Sequence, residues 1–194
     1  MKQQQGFTLV ELLASVAIFT VITSVAVFNN ASFNSNVLLT NLAYEVALSV
    51  RQAQFYGITV KHSNDALNNN FDSGYGVHFD TSSPTQYILF EDKAPQDHVY
   101  NGASEAIETF TIQKGNKVSK LVLWSGAATT TPTVADISFL RPNPDTYITA
   151  GGSASPTYNQ ANVCVFSPSG VKRKVIIEST GQISVAVDTN GVCN

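Results

Sequence analysis

From Phe7 to Phe28 the chain runs through roughly 22 residues, "FTLVELLASVAIFTVITSVAVF", in which Glu11 is the one charge. As a helix rising 1.5 Å per residue this stretch covers about 33 Å, the thickness of a bilayer's hydrocarbon core. That is enough to cross a bilayer. Glu11 is a cost in that setting unless something answers its charge. A short leader, "MKQQQ", and Gly6 come first, and beyond Lys2 no Lys or Arg occurs until Arg51. That asymmetry predicts a cytoplasmic start with the rest of the chain on the far side.

Two ordinary segments have a similar outline. A cleaved secretory signal would use Ser24-Val25-Ala26 as its small-x-small site, but its apolar part is shorter and carries no acid. A plain signal anchor explains the length. It leaves Glu11 without a role.

"GFTLVELLASVAIFTVI" closely resembles the processing and assembly signal of type IV pilins and of the pseudopilins of type II secretion. The likeness rests on a fixed set: short leader, Gly6, Phe7, Glu11 one helical turn on, and an apolar helix. It implies that a prepilin peptidase cuts between Gly6 and Phe7, that the new amine of Phe7 is methylated, and that Glu11 is the residue of subunit assembly, meeting such an amine on a neighbour. The other implied partners are further pilin or pseudopilin subunits, an inner-membrane assembly platform and membrane lipid. The implied location is the inner membrane, single-pass, and then a pilus or pseudopilus filament.

The chemistry fits the residue types. Cleavage creates a positive amine, and a carboxylate one turn along lies about 6 Å deeper. Opposite unit charges 4 Å apart are worth about 4 kcal/mol at an effective dielectric near 20, comparable with the roughly 2.5–3.5 kcal/mol insertion cost of a charged side chain at mid-membrane. A positive helix terminus lowers the cost further.

Gly is absent between Gly6 and Gly57 and Pro is absent before Pro84, so nothing stops the helix at the membrane edge. Leu38, Leu42, Val46, Val50 and Ala53 recur on one helical face. The expectation is a helix from Thr8 to Tyr56, capped by Gly57, with Asn29, Asn30 and the run Ser32 to Asn36 as its weakest stretch. Beyond it, "GITVKH", "GYGVHFD", "QYILFE", "IETFTIQ", "KLVLW", "DISFLR", "NVCVFS", "KRKVIIES" and "QISVAV" read as strands. "SPSG" and "STGQ" join the last three into an antiparallel meander, and "SGAATTTPTVAD" and "TAGGSASPTYNQ" read as loops.

The resulting division is leader 1–6, transmembrane and assembly helix 7–28, amphipathic continuation 29–56 and β-rich extracytoplasmic head 57–194. The fold class is α+β: a pilin-like long helix packed on an antiparallel sheet. "LAYEVALSVRQAQFYG", "ISFLRPNPDTYI" and "VKRKVIIESTGQISV" look most like the minor pilin and minor pseudopilin branch.

Charged residues make up 13% of the 194, below the roughly 25% usual in soluble domains, and 11 basic against 14 acidic residues leave a net charge of −3. No global field draws this chain to nucleic acid. Cys164 and Cys193 lack CxxC or Cys/His spacing, and a disulfide between them is their simplest use; two unpaired thiols are the alternative. A bridge closing about 30 residues contributes roughly 3–4 kcal/mol in the chain-entropy model.

Nothing in the head nominates a catalyst. His62, His78 and His98 are isolated, no GxSxG elbow or phosphate-binding glycine loop occurs, and no metal or cofactor is expected. Glu91, Asp92, Asp97 and Asn101 collect oxygen donors, but without calcium-loop spacing and with Lys93 among them they read as a solvated turn. Lys172, Arg173 and Lys174 are the one basic cluster and mark a possible DNA contact, diluted by strand alternation that sends Arg173 to the opposite face. Phe71, Tyr75, Tyr87, Trp124, Phe139 and Phe166 are assigned to packing.

Overall fold

The computed structural model describes residues 6–59, 73–94, 96–154 and 157–194, with the backbone alone for 28–33. One helix, α1 (Leu9–Ile58), precedes ten strands: β1 (Gly74–Asp80), β2 (Gln86–Asp92), β3 (Ala106–Thr111), β4 (Lys117–Ser125), β5 (Ala128–Thr130), β6 (Val134–Phe139), β7 (Thr146–Ala150), β8 (Gln160–Phe166), β9 (Lys172–Glu178) and β10 (Ile183–Val187). They form two antiparallel sheets, in the orders β3-β2-β1-β6-β7 and β10-β9-β8-β4-β5. The expected α+β architecture is present, with two sheets where one was anticipated.

The helix runs unbroken through Asn29–Asn36. Its second half seats Leu39, Leu42, Ala43, Val46, Ala47, Val50 and Ala53 in the core, a three-four spacing that aligns one face. It contacts β1, β2 and β6 of the first sheet and β8, β9 and β10 of the second. The inward residues of both sheets, Val77, Phe79, Leu89, Ile137, Phe139 and Ile148 from one and Leu121, Leu123, Val163, Val165, Val175 and Ile177 from the other, complete a single cluster. Alternate residues, Cys164 among them, point to the opposite face.

Gly57 does not cap the helix. It lies inside the last turn, and Thr59 is the cap, with its N–H bonded to the Phe55 carbonyl. A Cβ at Gly57 would stand 2.5 Å from the Phe139 carbonyl oxygen and 2.8 Å from its Cβ, so this glycine lets the helix press onto β6. Gly181, in the β9–β10 turn, combines a positive φ of 86° with a would-be Cβ 2.4 Å from the Pro144 oxygen.

The closing meander β8-β9-β10 forms as expected, through Gln160↔Glu178 to Phe166↔Lys172 and Ile183↔Ile177 to Val187↔Arg173. Two strands fall where loops were expected. β5 lies within "SGAATTTPTVAD", where the Gly126 turn folds its threonines back onto β4, and β7 ends inside "TAGGSASPTYNQ", pairing with Ala135 to Phe139 of β6 on the side away from β1. "GITVKH" supplies the end of α1 and its cap, and residues 60–62, His62 among them, lie outside the described residues, as does Phe71.

Candidate functional site

Among the described residues nothing covers the N-terminal half of the helix. Leu9–Val27, with mean hydropathy 2.2, is long and apolar enough to cross a membrane, and none of it is buried. Three of its hydroxyls bond along its own backbone: Ser15 Oγ donates to the Glu11 carbonyl at 2.6 Å, and Thr20 and Thr23 to those of Ala17 and Phe19, each at 2.8 Å. Hydroxyls bonded in this way do not need water.

Glu11 has a partner that the sequence reading did not assign. Thr8 is the N-cap, and its backbone N–H and hydroxyl both donate to Glu11 Oε2, at 3.0 and 2.8 Å, while Glu11 N–H donates back to the hydroxyl at 3.3 Å. This is a capping box, and its signature, Thr-x-x-Glu ahead of an apolar run, stood in "TLVE". Both bonds fall on Oε2. Glu11 itself is exposed.

Gly6 and Phe7 lie just outside the helix, with Phe7 89% exposed. A Cβ at Gly6 would meet nothing within 4 Å. The fold itself therefore places no steric demand for glycine there, and such a demand would come from whatever binds this peptide.

In the head, the structure separates the three basic residues. Lys174 is 7% exposed and its ammonium lies 3.8 Å from Asp188, so it is turned away from any external phosphate. Lys172 lies over the Phe166 ring, 5.1 Å from its centroid, and donates to the Asn194 side chain; Arg173 donates to the Lys172 carbonyl at 3.0 Å. Cys164 and Cys193 are joined in a disulfide with Cα atoms 5.7 Å apart.

Glu91 turns to the inner face of the first sheet and accepts from the Tyr75 hydroxyl at 3.4 Å, whereas Asp92, Asp97 and Asn101 belong to a segment folded over the outer face. There the carboxylates serve backbone amides: Asp92 accepts from Asp97 N–H and His98 N–H at 3.3 and 3.0 Å, and neighbouring Glu105 accepts from Asn101 N–H at 2.7 Å. His98 stacks on Tyr147 with ring centroids 3.8 Å apart, and His78 Nδ1 pairs with buried Asp136 at 2.6 Å. Burial raises Asp136 and lowers His98 from their ordinary values. Among the described residues no group of His, Cys, Asp or Glu is arranged to hold a metal ion.

Tyr75, Tyr87 and Phe139 are core residues, as assigned, whereas Trp124 and Phe166 lie half-buried on the second sheet's outer face.

Asp92 makes stability pH-dependent. Burial, followed by the nearby carboxylates of Asp97 and Glu105, pushes its pKa up to about 7 against the two backbone hydrogen bonds. The folded state therefore holds a proton between pH about 4 and 7 that the unfolded chain releases, and Asp92 weakens the fold as pH rises through that window. Asp92→Asn removes the trend: relative to the parent, the variant should gain stability from pH 4.5 to pH 7.5, read from urea midpoints. Parallel profiles would exclude Asp92 as the cause.

Compared with family models, residues 1–27 match the prokaryotic N-terminal methylation motif. No curated protein and no solved structure matches the chain. The matched motif describes a structural signal and not an enzyme class. It implies processing by a peptidase and assembly with other subunits, and with the apolar helix it is compatible with inner-membrane anchoring. Residues 1–27 thus carry the signal of type IV pilins and pseudopilins, and this signal supports a prepilin-type subunit as the class of the chain.

Proposed function

We propose that the chain is cut between Gly6 and Phe7, methylated on Phe7 and drawn from the inner membrane into a pilus or pseudopilus as a minor or tip subunit. One observation carries the reading: a methylation motif heads a helix whose whole apolar first half is uncovered. The head half of α1 adds a second uncovered stripe, Val37, Tyr44, Leu48 and Phe55, opposite the face seated in the core. A helix apolar on both faces suits a subunit enclosed by others. Minor status follows the head patterns named above, and the exposed Glu11 carboxylate is the group offered to a neighbour's amine.

Mass analysis of the N-terminus, after expression with a prepilin peptidase, tests the cut. Methylated Phe7 is expected; an intact Met1 or a start at Val27 would overturn the reading. Glu11→Ala should insert in the membrane normally yet enter filaments at roughly a tenth of the parent level or less, given a lost ion pair of about 1.4 kcal/mol or more. Normal incorporation would remove the assembly role.

A further inference from the structure

Cys164 stands in an unusual row. Lys120 of β4 and Lys174 of β9 are its direct cross-strand neighbours, one on each side, on the face turned away from α1. Side chains directly opposite across antiparallel strands have Cβ atoms about 4.5–5.5 Å apart, so the two lysines flank Cys164 on that face. Both now engage the segment that carries Cys193. Lys120 Nζ donates to the Val192 carbonyl at 3.2 Å and to that of Asn194, and Lys174 Nζ faces Asp188.

Asp188 links the two halves of the arrangement. Its carboxylate accepts the N–H groups of Val192 and Cys193, each at 3.0 Å, which curls 188–193 into a loop presenting Cys193. The same carboxylate sits 3.8 Å from the Lys174 ammonium, beside Cys164. One side chain thus shapes the Cys193 loop and docks it at its target.

We propose that in the reduced chain Cys164, between Lys120 and Lys174, is the thiol that attacks an external disulfide donor, and that Cys193, held by Asp188, is the thiol that resolves the product. Flanking ammoniums favour the thiolate, the nucleophile in disulfide exchange. The Cys164 thiolate attacks one sulfur of the donor, a mixed disulfide forms, and the first donor thiolate leaves. Cys193, losing its proton, then attacks the Cys164 sulfur and expels the second. Two protein thiols are oxidised, one donor disulfide is reduced to two thiols, and the two protons pass to the departing thiolates. Asp188 acts as a positioning residue.

The test uses the full chain, reduced, in detergent micelles, with glutathione disulfide as the donor and mass spectrometry as the readout. Cys164 in the Cys193→Ser variant should form its mixed disulfide at least about threefold faster than Cys193 in the Cys164→Ser variant, since a tenfold gain in thiolate yields roughly that net rate. Lys120→Gln, or added salt, should slow this first step and spare the second. Asp188→Asn should do the reverse: the mixed disulfide on Cys164 accumulates and ring closure slows about tenfold as local concentration falls. Asp188→Glu, which keeps the carboxylate, should restore closure. Faster reaction at Cys193, or a first step indifferent to both Lys120→Gln and salt, overturns the proposal even if Asp188→Asn does not fold. The result is independent of filament assembly.

Discussion

Gly57→Ala should destabilise the head by about 3 kcal/mol and lower Tm by about 9 °C, although alanine favours helix over glycine by about 1 kcal/mol. The sign decides between two roles for this residue. Were Gly57 a conformational device at a helix end, alanine inside the last turn would be tolerated or helpful. Its added methyl instead points at backbone: the Phe139 carbonyl oxygen, carbon and Cβ all lie within 2.9 Å of it. Backbone cannot swing aside as a side-chain tip can, so α1 must lift from β6, and Ala53 and Val50 lift with it. Thermal unfolding followed by circular dichroism measures the loss. A change under about 0.5 kcal/mol would mean that the helix seats further from β6.

Asp188→Ala should cost about 3–5 kcal/mol, the range for breaking a buried ion pair at one partner. Lys174 would be left buried without its counter-charge, and the N–H groups of Val192 and Cys193 would lose their acceptor. The informative comparison is the double variant. Lys174→Met with Asp188→Ala removes the stranded charge and fills its volume with an apolar side chain, so most of the loss should return, leaving the deficit of the two amides at about 1–3 kcal/mol. Chemical denaturation of all three proteins in the oxidised state checks this. Equal losses in the single and double variants would show that the ion pair carries none of the cost.

The opening segment was the most legible part of the chain, because a carboxylate in an apolar helix admits few explanations and the leader, Gly6, Phe7 and Glu11 narrowed them together. What escaped notice was nearer than the partner sought. Thr8 is that nearer partner: its hydroxyl completes a local cap of the kind that Thr-x-x-Glu ahead of a helix encodes. Strands with strong alternation, such as "GYGVHFD", were read to the residue. β5 was hidden by a low-complexity run of threonines that pairs only because the Gly126 turn returns it to β4.

Long-range placement was out of reach for a different reason. Lys174 reads as a surface cation within "KRK", and its burial depends on the distant segment of Asp188 folding back over it, a contact that no local pattern encodes. The same return brings Cys193 to Cys164. The pairing was readable as arithmetic on two cysteines; the lysines on either side were not, since they become neighbours only through the register of β4, β8 and β9.

An unbroken α1 also settles how the molecule bears load. From Leu9 to Ile58 it is a rod of about 75 Å whose hydrogen bonds lie along its axis, so tension entering at its N-terminal end reaches the head without crossing a hinge. The head grips that rod sideways, through side chains from Leu39 to Ala53 wedged against both sheets. Pulling therefore shears many contacts at once and does not peel a strand edge open bond by bond. A mechanically loaded subunit would fail at this grip, and the tightness with which β6 meets Gly57 sets part of the force needed.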